Sequence, residues 1–172
     1  MPTVFLGLGT NLGDREANLR AALSRLRELV RIEAVSFVYE SEPVGYRAQP
    51  DFWNLVVRAE TQLEPLALLE AVRGIERALG RKPSFRNAPR VIDIDLLLYG
   101  DVQIGLPELT LPHPRMLERA FVLKPLVELA PDVVHPGTGR TIREHAAGAE
   151  QLERAAPLFP GERLLEGSEA AP

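Results

Sequence analysis

Asp93 and Asp95 stand in the otherwise apolar run Val91-Ile92-Asp93-Ile94-Asp95-Leu96-Leu97-Leu98-Tyr99, directly after Arg90. On a strand, alternate side chains share a face, so the two carboxylates would project to one side about 7 Å apart, with Ile92, Ile94 and Leu96 on the other. Paired carboxylates in apolar surroundings repel each other and resist desolvation unless cations or hydrogen bonds offset both effects. A wet edge strand of alternating polarity would need no such compensation, but the unbroken apolar run through Leu98 points to an interior strand. Oxygen-only donors select a hard cation. Magnesium binds through one or two carboxylates and completes its octahedron with water and phosphate oxygens, so Asp93 and Asp95 are candidate ligands for a nucleotide-bound magnesium.

Arg77, Arg81, Lys82, Arg86 and Arg90 precede the pair with no acidic residue among them, in a segment that Gly80, Pro83 and Pro89 keep from being helical. A basic loop alone is commonly just a solvated loop. Beside a carboxylate pair it completes what phosphoryl transfer needs: metals to bridge phosphate oxygens and guanidinium groups to neutralise developing charge. Gly7-Leu8-Gly9-Thr10-Asn11-Leu12-Gly13 misses the dinucleotide fingerprint by one position, and neither Lys82 nor Lys124 completes a Walker A loop. A nucleotide site here must be of another kind. His113 is fixed between Pro112 and Pro114, while His135 and His145 have less informative neighbours; a lone histidine is more often structural than functional.

The bulk numbers bound these readings. A chain of 172 residues, 45% hydrophobic and 26% charged, has the size and make-up of one globular domain. Cysteine is absent, which excludes thiolate zinc sites and cysteine nucleophiles together. A net charge of -4 argues against a general nucleic-acid binder, which needs a basic footprint. No apolar stretch is long enough to span a membrane, and Met1-Pro2-Thr3 lacks a basic n-region, so a cytoplasmic address without a membrane partner is expected.

The elements that must position these residues follow from hydrophobic periodicity. Val4 to Leu8 reads as a strand covered on both faces, and Gly9 to Gly13 as a turn. Asp14 caps a helix whose apolar stripe is Leu19, Leu23, Leu26 and Val30. Strands Ile32–Tyr39 and Trp53–Thr61 are joined by a connection long enough to be a functional loop. Pro65 opens a second helix that buries Leu66, Leu69, Val72, Ile75 and Leu79 and stops at Gly80, and Val91–Tyr99 is the fourth strand. The order is βαββαβ, which predicts an α+β, ferredoxin-like core with a mainly antiparallel sheet packed by helices. A C-terminal helical extension follows, with a helix over about Met116–Leu129 bent at Pro125. Residues 1–150 are expected as a single domain and 151–172, rich in Ala, Glu and Pro, as a loosely packed tail.

Four segments carry a resemblance: Gly9-Thr10-Asn11-Leu12-Gly13-Asp14, Gln49-Pro50-Asp51-Phe52-Trp53-Asn54, Pro89-Arg90-Val91-Ile92-Asp93-Ile94-Asp95 and Pro112-His113-Pro114. In identity, order and spacing the chain resembles the hydroxymethyl-dihydropterin pyrophosphokinases of the folate pathway from about Thr3 to Ile142. The resemblance implies a ferredoxin-like, monomeric enzyme that binds ATP with two magnesium ions and a reduced pterin, 6-hydroxymethyl-7,8-dihydropterin. By it, Asp93 and Asp95 ligate both metals, Arg81 and Arg90 contact the triphosphate, and Glu76, Arg86, Thr110, His113 and Arg119 complete the nucleotide site. Phe52 and Phe121 correspond to the rings that sandwich the pterin, Asn54 to the side chain that hydrogen-bonds its edge, and Ser41, Val44 and Gly45 to the pocket lining. The pterin hydroxyl would attack the β-phosphorus and AMP would leave, through alignment and charge neutralisation rather than covalent catalysis.

Three positions depart from the family pattern. Asn87 stands where the family often has Trp, the basic loop is one residue short, and Phe52 occupies a position where Tyr also occurs. Phe85 is expected to supply the missing aromatic surface. The residues alone leave two rivals: a metal-dependent phosphohydrolase using the same two aspartates, and a non-catalytic ferredoxin-like module that binds a small ligand without turnover.

Overall fold

The structure is a computed structural model, and it describes residues 1–166 except Val44, Tyr46, Arg47, Lys82, Pro83, Arg86 and Asn87. The elements in chain order are β1 (Thr3–Thr10), α1 (Arg15–Leu26), β2 (Arg31–Val35), β3 (Phe37–Ser41), β4 (Phe52–Glu60), α2 (Pro65–Ala78) and β5 (Asp93–Tyr99). Two short strands, β6 (Ile104–Gly105) and β7 (Thr110–Leu111), precede α3 (Ala120–Leu129), α4 (Ile142–Ala146) and β8 (Ala156–Pro160). The main sheet is antiparallel in the order β5-β1-β4-β3-β8, with β2 also paired to β4. This is the ferredoxin-like arrangement that the element order predicts.

Helices cover both faces, which is why β1 is apolar on both sides. Val4, Leu6 and Leu8 meet Leu19 and Leu23 of α1 and Leu68, Val72 and Ile75 of α2 on one face. Phe5, Val56 and Leu97 meet Val122, Leu123 and Leu126 of α3 on the other. Asp14 caps α1 by accepting from the Ala17 N–H at 3.0 Å. Pro65 opens α2, and Gly80, at φ 98°, stands just past its end where a side chain would be strained.

Five expectations change. Leu66, expected in the buried stripe of α2, is exposed, and Leu68 takes its place in the core. The single strand Ile32–Tyr39 is two, β2 and β3, broken at Ser36, whose hydroxyl replaces a backbone partner by accepting from the Val56 N–H at 2.9 Å. The helix expected from Met116 begins at Ala120, because Pro114–Glu118 is a turn and Arg119 is extended; Pro125 lies buried inside it. β5 is an edge strand rather than an interior one, paired among the described residues with β1 alone. It is apolar nonetheless because both faces are covered and its outer edge is blocked: the Glu76 carboxylate accepts from the Ile94 N–H at 2.8 Å, and the Leu97 carbonyl accepts from the His113 N–H at 2.9 Å. Finally, residues 151–166 of the expected loose tail are packed. β8 pairs with β3, Leu164 is buried against the α1 face, and Arg20 donates to the Glu166 carbonyl at 2.9 Å. Among the described residues no helix is long and apolar enough to cross a membrane.

Candidate active site

The α3-side face of the sheet has a bare stretch at its centre. Gly9 of β1 lies between Asp93 of β5 and Asn54 of β4, and Gly7 lies between Asp95 and Val56. A Cβ on Gly9 would stand 2.8 Å from Asn54 Oδ1 and 3.7 Å from the Phe52 ring, so a side chain there would fill the space between them. Asn54, 4% exposed, donates from Nδ2 to Ser41 Oγ at 2.8 Å, which fixes its amide. Phe52, at the start of β4, is half-buried. Phe121, in the first turn of α3, packs with the core on this same face and carries the Arg119 guanidinium 5.6 Å from its ring. Gly45 has φ 79°, a left-handed conformation that glycine takes without strain. Val44 lies outside the described residues.

Next to this floor the acid pair and the arginines meet. Asp93 accepts from Arg81 Nη1 at 2.8 Å and from Arg90 Nη1 at 3.3 Å. Arg81 also donates to Glu76, which is 3% exposed and accepts from Arg73 Nη1 at 2.8 Å. A carboxylate this buried is tolerable only because two guanidiniums and the Ile94 N–H satisfy it. Among the described residues no side chain donates a hydrogen bond to Asp95 or forms an ion pair with it. Burial first, and then the neighbouring charge of Asp93, hold its carboxyl far above the ordinary carboxylate range, although Arg119 and Arg73 pull the other way.

His113 is held at about 4, below the usual imidazole value, by burial first and then by the Arg119 charge, with Asp93 opposing. Its Nδ1 accepts from the Arg115 N–H at 3.1 Å, so the neutral ring carries its proton on Nε2 and can offer one hydrogen bond there. Thr110 is exposed on β7. Beside the acids, an open cleft of about 610 Å³ is lined by Arg73, Glu76, Arg81, Phe85, Pro89 and Arg90, among others. Phe85, 59% exposed, presents aromatic surface to it. Arg86 and Asn87 lie outside the described residues. The site therefore combines guanidinium groups, two adjacent carboxylates and a narrow floor suited to a flat ring.

Sequence reasoning gave Asn11 and Arg73 no role. Asn11, 1% exposed, donates from Nδ2 to Gln49 Oε1 at 2.8 Å and to the Pro50 carbonyl at 2.9 Å, and its Oδ1 accepts from the Arg90 N–H at 2.9 Å. One side chain ties the turn after β1 to the segments before Phe52 and before Asp93. Its signals were a polar residue inside a glycine-rich turn and its place in the first of the four segments that carry the resemblance. Arg73 was findable as the residue three positions before Glu76 on α2, where the two side chains meet.

Comparisons with known proteins bear on the family and the fold. Residues 5–131 match the family model 7,8-dihydro-6-hydroxymethylpterin-pyrophosphokinase (HPPK). The chain is 43% identical over 144 residues to the 2-amino-4-hydroxy-6-hydroxymethyldihydropteridine pyrophosphokinase of Aquifex aeolicus, covering 84% of this chain and 90% of that one. It is 44% identical over 160 residues to the protein of the same name from Methylorubrum extorquens, covering 89% and 100%. Folic acid synthesis protein FOL1 of Dictyostelium discoideum is 44% identical over 133 residues, 77% of this chain, but this chain spans only 20% of its length. Among solved structures, wild-type HPPK-DHPS of Plasmodium falciparum superposes with a TM-score of 0.67 at 17% identity, over 85% of this chain and 44% of that one, and bears on the fold alone. With the family model matched over most of its length and these relatives matched nearly end to end, the chain belongs to the 7,8-dihydro-6-hydroxymethylpterin-pyrophosphokinase family.

Proposed function

We propose that this protein transfers a pyrophosphoryl group from ATP to the hydroxymethyl oxygen of 6-hydroxymethyl-7,8-dihydropterin, giving AMP and the pterin pyrophosphate. The observation that carries this reading is the meeting of Arg81 and Arg90 on Asp93, beside the floor left bare by Gly9 between Phe52 and Asn54. In it the pterin lies between Phe52 and Phe121 with its edge on Asn54, lined by Ser41, Val44 and Gly45. The nucleotide takes the cleft bordered by Glu76, Arg81 and Arg90, with Arg86, Thr110, His113 and Arg119 contributing. The new bond joins the pterin oxygen to the β-phosphorus, and the bond from that phosphorus to the oxygen bridging to the α-phosphate breaks.

An oxygen-only carboxylate pair, one member of which forms no ion pair among the described residues, fits magnesium. Asp93 and Asp95 would hold two such ions, which would supply charge neutralisation and alignment. The chain's own part is an exchange. Arg81 and Arg90, held by Asp93 in the unliganded protein, turn to the triphosphate and offer it bidentate donors. Glu76 keeps Arg73 in place and holds the edge of β5, so the carboxylates do not shift when the arginines leave. His113, neutral at physiological pH, donates without adding charge.

This reading takes residues 1–150 as the catalytic domain, with β8 bracing its edge, and a single chain as the acting unit in the cytoplasm. Mass spectrometry of the pterin product tests the transfer. A pterin carrying two phosphoryl groups supports it, whereas unmodified pterin beside consumed ATP would point to a phosphohydrolase.

A further inference from the structure

A second cluster stands on the opposite face of the sheet, behind Phe52. Arg15, the first residue of α1, lays its guanidinium 4.6 Å from the centre of the Trp53 ring. Its Nη1 donates to the Asp51 carbonyl at 2.9 Å and lies 3.5 Å from Glu40 Oε2. The same Glu40 oxygen accepts from Trp53 Nε1 at 3.1 Å, so ring, carboxylate and guanidinium close on one another. Phe159 of β8 packs edge-on against Trp53, with centroids 5.6 Å apart at 74°.

The carbonyl that Arg15 holds belongs to the peptide whose nitrogen is that of Phe52, and that peptide is a rigid plane. Asn11 holds the preceding carbonyl, at Pro50, from the other side. Two successive carbonyls are gripped just before the chain enters β4. We propose that Arg15 is a positioning residue that sets the Phe52 wall of the pterin slot, framed by Glu40, Trp53 and β8; this rests on the reading of Phe52 as that wall. Guanidinium chemistry suits the task, since a planar cation can stack on the indole while its N–H groups fork to a carbonyl and a carboxylate. An ammonium keeps the charge but loses the fork.

Steady-state kinetics of Arg15→Ala and Arg15→Lys, with pterin and ATP varied separately, tests the proposal. The expected result for Arg15→Ala is a pterin KM about tenfold higher, an ATP KM within about twofold of the parent, and a smaller loss in kcat than the rise in KM. Arg15→Lys should fall between. An unchanged pterin KM, or an ATP KM rising in parallel, overturns it. If Arg15→Ala does not fold, Phe159→Ala loosens the frame from outside the slot: a pterin KM raised about threefold, with a shifted emission from Trp53, the only tryptophan, supports the proposal, and an unchanged KM overturns it. Absence of pterin-dependent AMP in the parent protein would refute the proposed function itself instead.

Discussion

Asp93 and Asp95 look equivalent in the sequence, but their surroundings differ. Asp93 is countered by Arg81 and Arg90, whereas Asp95 is buried beside a like charge. Replacing either by asparagine should abolish turnover, yet the effects on the unliganded fold should diverge. A carboxyl whose folded pKa lies above its unfolded value weakens the fold most at pH above the folded value, and that penalty is relieved as pH falls toward the unfolded one. The parent protein should therefore gain stability from Asp95 as pH drops from 8 toward 5, and Asp95→Asn should melt about 3 °C higher than the parent at pH 8, roughly 1 kcal/mol for a chain of this size. Asp93→Asn should show no such rise, because it takes from Arg90 its carboxylate and from Arg81 one of the two it holds. Thermal melts of the three proteins at both pH values check this. His113 should contribute no inflection to the pH–rate profile between 5 and 8, since its ring stays neutral there; a break lost in His113→Gln would contradict that. Asn11→Ala should leave the Arg90 N–H unpaired, cost about 1–3 kcal/mol in denaturant melts, and lower turnover through Arg90.

At the scale of elements, the strands and helices were legible because their periodicity is strong, and the misses have physical causes. β5 read as interior because its faces are buried; what covers its open edge is a carboxylate from α2 and the backbone of His113, contacts that no local pattern encodes. β8 read as a loose tail because Ala156-Pro157-Leu158-Phe159-Pro160 has weak strand character and prolines that cannot extend the ladder. Its anchor is tertiary: the Gly161 N–H donates to the Ser36 carbonyl at 3.0 Å at the break between β2 and β3. A Cβ on Gly161 would stand 2.1 Å from that carbonyl oxygen, so Gly161→Ala must push backbone apart. The expected cost is about 2 kcal/mol or more in chemical denaturation, with a larger effect than Gly105→Ala, where nothing lies within 4 Å and the backbone is not left-handed.

For the molecule as a whole, the candidate site was the most legible part. The acid pair, Arg81, Arg90 and the proline-flanked histidine stand out in the sequence, and among the described residues Arg81 and Arg90 meet on Asp93 while the His113 N–H binds the edge of β5. What stayed hidden was the wiring between them: Asn11 joining three segments, Arg73 supporting Glu76, and Arg15 bracing the far face. Each is a contact between residues distant in sequence, set by the fold rather than by local pattern. On the proposed reading, these parts make one machine for moving a pyrophosphoryl group to a pterin. The most direct test is to incubate the purified protein with magnesium and ATP, with and without 6-hydroxymethyl-7,8-dihydropterin, and to separate AMP, ADP and free phosphate by chromatography. The account predicts AMP that appears only with the pterin; ADP or phosphate released regardless of pterin, or no turnover at all, would contradict it.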